Sequence, residues 1–266
     1  MSIHPTAVIS PSAQLADGVL VGPYAVIGEH VTLSAGVQVG AHAVLDGPLD
    51  VGPRTRFFPH AVIGQPPQDQ KYAGEQTALS IGSDNIFREF STANRGTAAG
   101  GGLTRVGDHN LMMAYSHIAH DCQVGDHCVF ANCASLAGHV IVEDYAILGG
   151  LSAVHQRSRI GRCAMLGGGA KVAQDVPPFT IAQGDRARLF GLNVVGLRRR
   201  GLPLETLQAL RAAYRELFQH NQPLRVAVEQ VREVYADVAE VQELVRFIEE
   251  SRRGICRSAG TDVPTE

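Results

Sequence analysis

The sequence predicts a parallel β-helix, a solenoid of short strands joined by tight turns, followed by a small α-helical C-terminal domain. Three observations predict it. An apolar residue recurs at every sixth position through most of the chain up to Val172. Glycine, 29 of the 266 residues, often comes directly after that position. Beyond Pro203 the apolar spacing changes to that of a helix. A helix repeats near 3.6 residues and an ordinary strand near 2, so a period of six is neither alone. It fits short strands with one inward residue per unit, three units closing a triangular coil. Residues eighteen apart then stack from coil to coil, about 4.8 Å apart by strand spacing.

The beat starts at Ile3 and passes through Ile9, Leu15, Val21, Ile27, Leu33, Val39, Leu45, Val51, Phe57 and Ile63 without a polar member. Ile81, Phe87 and Ala93 resume it after a break. From Val106 it runs through Met112, Ile118, Val124, Phe130, Leu136, Val142, Leu148, Val154, Ile160 and Leu166 to Val172. In a chain that is 45% hydrophobic, such a run is not chance. Gly22, Gly40, Gly125 and Gly161, each one after a beat, suit tight corners.

Two segments break the count. The stretch 65–78 (QPPQDQKYAGEQTA) is polar and holds two prolines, so it should loop out of the solenoid. The stretch 97–104 (TAAGGGLT) shifts the beat by one residue, a second and shorter excursion. Loops on a regular scaffold are where function concentrates. Pro177-Pro178 should end the ladder, since proline cannot donate to it. A linker then ends in Arg198-Arg199-Arg200-Gly201. Stripes at helical spacing predict helices over 203–219, 223–235 and 238–252, with Pro203 and Pro223 at first-turn positions. The last dozen residues should fray. The implied division is a β-helix over 1–184 and a domain of about three helices over 185–266.

A net charge of -3 and a pI near 6.4 make no global case for nucleic acid. The five cysteines, Cys122, Cys128, Cys133, Cys163 and Cys256, form no C-x-x-C pair and read as small buried apolar thiols. The N-terminus has no basic and apolar leader, and no run of about eighteen apolar residues exists, so a soluble cytoplasmic protein without membrane insertion is expected.

The densest set of ionisable side chains lies between His117 and His139. His30, His42, His60, His109 and His127 each fall three after a beat, where a solvated turn histidine is the better reading. His120 differs, because Asp121 follows it directly. Eighteen residues on from these two stand Gly138 and His139, so the next coil should place a glycine backbone beside His120 and a second imidazole beside Asp121. An imidazole oriented by a carboxylate can act as a general base. A glycine N–H within reach can hold a developing oxyanion. The plain alternative is a structural His–Asp pair on a turn, and spacing alone leaves both open.

The strings IAHDC, NCASLAGHV, GGLSAVHQ, VAQDVPPF, IAQGDRA, GLRRRG and QDQKYAGE resemble the bacterial UDP-N-acetylglucosamine O-acyltransferase family, which performs the first step of lipid A synthesis. The resemblance covers almost the whole chain, and these strings together are far more specific than the beat. It implies a left-handed coil, against the usual right-handed crossover, and a homotrimer with active sites between neighbours. It implies transfer of a 3-hydroxyacyl group from acyl carrier protein to the 3-hydroxyl of UDP-N-acetylglucosamine, with no cofactor and no metal. By position, His120 would be the general base, Asp121 its orienting carboxylate and the Gly138 N–H the oxyanion donor. His117, His139, His155 and Gln156 resemble residues lining the substrate cleft, and Lys71 the loop lysine that meets the sugar nucleotide. Asn193, Arg199 and Arg200 resemble the nucleotide-binding end; without the resemblance, residues 198–200 read as a solvated basic turn. Gly168 stands where the family sets acyl-chain length, and its open space suggests about fourteen carbons. Exposed arginines near the cleft are candidates for docking the acidic carrier protein. The chain departs from the family pattern at Asn94, where a histidine is expected, and no role follows for it. No cysteine sits in a nucleophile–base arrangement, so no acyl-enzyme is expected.

Three other readings compete with this one. The sister N-acyltransferase carries a uridine-binding domain before its β-helix, whereas the beat here begins at Ile3. A zinc-dependent carbonic anhydrase on the same scaffold would use His117, His120 and His139 as ligands. An ice-binding solenoid would want flat threonine ladders, and threonine is scattered here.

Overall fold

The computed structural model describes residues 2–220 and 222–258. Short strands stack into three sheets of eleven, nine and eight strands, and up to Val172 each pairs with the strand three places along the chain. Met112 pairs with Phe130, Ile118 with Leu136 and Val124 with Val142, all in parallel and all eighteen residues apart. A two-residue strand such as Val129–Phe130 gives one outward and one inward side chain. The beat residues are therefore the inward ones: Ile63, Phe87, Phe130 and Leu148 have no exposed surface. From Val21 onward they form one continuous column of core, with Ile9 and Leu15 partly buried against its first coils and Ile3 exposed at the end.

The corners are left-handed in backbone conformation at residues that are not glycine, including His30, His42, His60, His109, Asp121, His127 and His139. Such residues cost roughly 1–2 kcal/mol each relative to ordinary backbone. The corner repeat returns something, because it lines rings up in columns. Tyr24, His42, His60, Phe90 and Tyr115 stack with centroids 4.9–5.1 Å apart. His109, His127 and Tyr145 form a second column at 4.8 Å. The turn histidines are exposed, as expected, and four of the five also stack.

Both excursions leave the same corner, between the second and third sheets. The first separates strands Val62–Gln65 and Ala78–Ile81. Across it Phe57 pairs with Phe87, thirty residues on, twelve more than the usual eighteen. Twelve is two whole hexads, so the beat keeps phase. Across the second, Phe87 pairs with Met112, twenty-five on, seven more than usual, and the beat slips by one.

Three expectations are corrected at the C-terminal end. The ladder does not stop at Pro177-Pro178: strand Thr180–Gln183 pairs in parallel with Met165–Leu166, and Arg188–Leu192 folds back antiparallel onto it. The prolines occupy the turn before the strand, where no ladder donor is required. The expected linker ending in residues 198–201 holds a short helix, α1 (Val194–Arg199), before α2 (Leu204–Phe218), α3 (Leu224–Val234) and α4 (Ala239–Glu250), so among the described residues this domain has four α-helices rather than about three. Fraying is not seen up to Ser258: Ile255 bridges to Asp175 and Ser258 to Leu189, with Cys256 buried. The remainder of the expected frayed tail, 259–266, lies outside the described residues.

The helices share an apolar core that includes Leu210, Val228, Val231 and Leu244 and reaches Phe179 and Cys163 of the coil. Arg162 grips Glu243 of α4 through Nε and Nη2, and Ser251 donates to Asp175 at 2.7 Å. Phe130→Ala removes a fully buried ring from the centre of the column and should cost about 3–5 kcal/mol, read as a lowered midpoint in chemical denaturation.

Candidate active site

The corner that emits both excursions carries the ionisable cluster. Strand His117–Ile118 feeds His120-Asp121, and strand Ser135–Leu136, one coil on, feeds Gly138-His139. The coil repeat thus sets the four residues in two adjacent layers, and the His139 N–H donates to the His120 carbonyl at 3.0 Å. His120 and His139 meet edge to face, centroids 5.2 Å apart. Nδ1 of His120 lies 2.7 Å from Oδ2 of Asp121, and Nε2 of His139 lies 3.7 Å from the same oxygen.

Gly138 is where the layer requires glycine. A Cβ there would stand 2.5 Å from Cε1 and 2.7 Å from Nε2 of His120, so the imidazole lies directly on the glycine backbone. Among the described residues the Gly138 N–H makes no backbone hydrogen bond. It is a free donor close to the outer nitrogen of His120.

Two threonines that sequence reasoning did not single out hold Asp121. Thr97 donates to Oδ1 from its backbone N–H at 2.8 Å and to Oδ2 from its hydroxyl at 2.7 Å. Asp121 itself donates from its N–H to Oγ1 of Thr104 at 2.7 Å. The side chain of Asp121 is 1% exposed. The available signal was that Thr97 and Thr104 bound the second excursion, whose only apparent content was small residues.

This network fixes a tautomer. The Thr97 hydroxyl accepts from the Gly100 N–H at 3.1 Å, so its proton is directed to the carboxylate. With the Asp121 carboxyl held low and ionised, the proton that bridges the pair is assigned to Nδ1 of His120. Nε2 is left with its lone pair, the form a general base needs. Burial alone would push the Asp121 carboxyl up, but hydrogen bonds from His120 and from the Thr97 side chain and backbone, with His139 beyond, hold it below the ordinary value. Burial, reinforced by Arg157 and His120, keeps His139 below the usual imidazole value against the pull of Asp121 and Asp69. Burial, with His120 nearby, does the same to His117, whose Nδ1 bonds the Thr92 hydroxyl at 2.7 Å.

His120, Asp121 and His139 offer ligand atoms within 4.8 Å of one another, as a metal site would. The spacing favours a shared proton. Zinc bonds of about 2 Å from each ligand would hold Nδ1 and Oδ2 about 3.2 Å apart or more in a tetrahedral site, and they stand at 2.7 Å. His117 is outside the group, so the ligand trio expected for zinc does not assemble. Burial pushes the Cys122 and Cys128 thiols up to about 12, which makes them inert core residues; Cys163 and Cys256 are buried too, whereas Cys133, half-buried at a corner, departs from the expectation of five buried thiols.

Lys71 is exposed on the first excursion, its N–H bonded to Asp69, the residue that acts on His139. His155 and Gln156 are exposed one coil beyond His139; His155 donates to the Gln156 carbonyl at 3.1 Å and lines a cleft of about 870 Å³ with Lys171, Asp185 and Arg253. Arg199 and Arg200 are exposed, and the Arg200 guanidinium lies 3.4 Å over the Tyr145 ring, at the corner between the third and first sheets. Gly168 is exposed at the remaining corner, with only the Gly150 carbonyl near a Cβ position, at 3.6 Å. Asn193 is buried and caps α1: its side chain accepts from the Gly196 N–H at 3.1 Å and donates to the Cys163 carbonyl at 3.0 Å. Asn94 is buried too, and its amide ties the base of the first excursion through the Pro66 carbonyl at 2.8 Å.

Among the described residues no helix is long and apolar enough to cross a membrane. A family profile described as "Udp N-acetylglucosamine O-acyltransferase; Domain 2" matches residues 175–256, and one for bacterial transferase hexapeptide repeats matches 103–138. The acyl-[acyl-carrier-protein]–UDP-N-acetylglucosamine O-acyltransferase of Alkalilimnicola ehrlichii is 56% identical, covering 96% of this chain and 99% of its own. Its namesake in Thiobacillus denitrificans is 54% identical with the same coverage. The crystal structure of UDP-N-acetylglucosamine O-acyltransferase from Moraxella catarrhalis superposes with a TM-score of 0.94 at 40% identity, covering 97% of this chain and 100% of that one. The Francisella novicida UDP-N-acetylglucosamine acyltransferase gives 0.94 at 35% identity, covering 97% and 94%.

A depressed carboxyl stabilises the fold above its unfolded value of about 3.9 and loses that contribution as pH falls through the lower folded value. Asp121→Asn should therefore flatten the fall in denaturant stability between about pH 5 and pH 2 relative to wild type.

Proposed function

The chain belongs to the acyl-[acyl-carrier-protein]–UDP-N-acetylglucosamine O-acyltransferase family, an acyltransferase family, and from that premise we propose how this member works. It transfers a 3-hydroxyacyl group from acyl carrier protein to the 3-hydroxyl of UDP-N-acetylglucosamine, the first step of lipid A biosynthesis, in the cytoplasm and without a cofactor. The observation that carries the mechanism is the His120–Asp121 pair at 2.7 Å, with the free N–H of Gly138 beside the outer nitrogen. Nε2 of His120 takes the proton of the sugar hydroxyl as its oxygen attacks the thioester carbonyl. Asp121 stabilises the imidazolium that forms. The Gly138 N–H stabilises the tetrahedral oxyanion, and the carrier thiol leaves with the proton that His120 returns. Transfer is direct, because the deeply buried thiols Cys122 and Cys128 are protonated and out of reach.

In this reading the active molecule is a homotrimer of left-handed coils. His120 and Arg200 sit at different corners of the triangular solenoid, and Gly168, on a later coil, at the third. Threefold packing of identical prisms sets one copy's corner against a different corner of the next. His117, His139, His155, Gln156 and Lys71 then line one wall of the cleft, and Arg199 and Arg200 of a neighbour bind the nucleotide as cationic forks for phosphate. Asn193 serves that end by capping the helix that carries both arginines. Gly168 sets chain length by leaving space for about fourteen carbons, since each added methylene must find about 0.8 kcal/mol of burial. The β-helix over 1–184 is the catalytic scaffold and 185–266 the domain that completes the nucleotide end.

His120→Ala should lower turnover by about 10²–10⁴-fold while the protein stays a folded trimer, measured by mass spectrometry of O-acylated UDP-N-acetylglucosamine; near-wild-type turnover would sink the assignment. Competition among 3-hydroxyacyl carrier proteins should favour a chain of about fourteen carbons, if transfer follows buried methylenes. Preference for ten carbons would remove Gly168 from the role.

A further inference from the structure

The second excursion has a use beyond interrupting the coil. Seven extra residues leave the corner at strand Thr92–Asn94 and rejoin at Leu103–Val106, and their two ends close on one residue. Thr97 takes both carboxylate oxygens of Asp121, and Thr104 takes its N–H. The turn between them is built around the same carboxylate. A Cβ at Gly100 would fall on the Asp121 carboxyl group, and one at Gly96 would stand 2.9 Å from its Oδ1. The short helix Ala98–Gly100 is capped by the Thr97 hydroxyl, so capping and carboxylate binding use one oxygen in opposite senses. Beyond the excursion's threonine, the side chains that reach the Asp121 carboxylate are the rings of His120 and His139.

We propose that Thr97 is the positioning residue of this site, its hydroxyl and N–H fixing Asp121 so that His120 holds its proton on Nδ1 and presents Nε2 as base. The inference rests on the general-base reading of His120. Thr97 takes one lone pair on each carboxylate oxygen, which leaves Oδ2 one direction for a ring, and His120 fills it. The other titratable groups facing the pair are His117 on the preceding strand and His139 on the next coil, with Arg157 and Asp69 beyond His139. Rival donation from His139 is the arrangement that the clamp disfavours, for His139 stands at 3.7 Å where His120 stands at 2.7 Å.

The test is the tautomer itself, read by ¹⁵N NMR of histidine-labelled protein, with His120→Ala identifying the His120 signals. In its neutral form wild-type His120 should show a protonated Nδ1 and a bare Nε2. Thr97→Val, which keeps shape and N–H but loses the hydroxyl, should populate both tautomers. It should also lower kcat by about 10- to 100-fold with KM for UDP-N-acetylglucosamine within about twofold; Thr97→Ser should restore both. A wild-type ring protonated on Nε2 overturns the inference whether or not the variant folds. So does Thr97→Val with turnover lost and tautomer unchanged, which would make Thr97 a packing residue. Failure of the general-base reading looks different: His120→Ala itself would then turn over normally.

Discussion

Everything in this molecule depends on the eighteen-residue register that stacks one coil on the next. The register is a hydrophobic constraint before it is a hydrogen-bonded one. Each two-residue strand is too short to hold its place by its own ladder bonds, and what locates it is the single inward side chain of the beat. A slip of one residue would turn Phe130 outward and Val129 inward along a whole layer. The core column tolerates no such slip, so the outward and corner positions are fixed to within a side chain. Chemistry placed at a corner inherits that precision. His120 and Gly138 meet because Ile118 and Leu136 pair, and for no more elaborate reason.

That scaffold explains the division of labour at the site. Corners are the places where the coil leaves backbone groups unspent, and the Gly138 N–H is one of them. They are also where insertions leave the core column undisturbed. The twelve extra residues of the first excursion preserve the phase of the beat, and the seven of the second absorb a slip of one without exposing Val106. The molecule's exposed ion pairs, such as Arg54 with Asp84, contribute little to stability because solvent screens them. Asp121 is the opposite case. Its charge is almost out of water, so each hydrogen bond to it counts for more, and an unmatched donor or acceptor there would be costly.

How far the sequence announced this follows from the same physics. The beat was legible because burial acts on every sixth residue alike, and the meeting of His120, Asp121, Gly138 and His139 followed from adding eighteen. Thr97 and Thr104 were not legible. Their partner is reached through an excursion whose path no period dictates, and small polar residues beside glycines carry no signature of what they will bind. Pro177-Pro178 misled for a related reason: proline forbids donation only where a donor is needed, and the turn before Thr180 needs none. Asn193 looked like a ligand-binding residue by resemblance, and its amide is spent on Gly196 and Cys163, holding the helix that presents the arginines.

The placement of the remaining cationic groups completes the argument. Within one chain, the column that runs from His109 through His127 to Tyr145 ends under the Arg200 guanidinium, on a corner that never faces His120. A prism has three corners and one copy cannot fold them together. A reaction that needs a base on one corner and phosphate-binding arginines on another therefore favours association of copies over any rearrangement of the coil. The rigidity that makes the His120–Asp121 geometry precise also forbids one copy from folding its corners together. In the trimer proposed for this chain, assembly does the work that domain closure does in flexible enzymes.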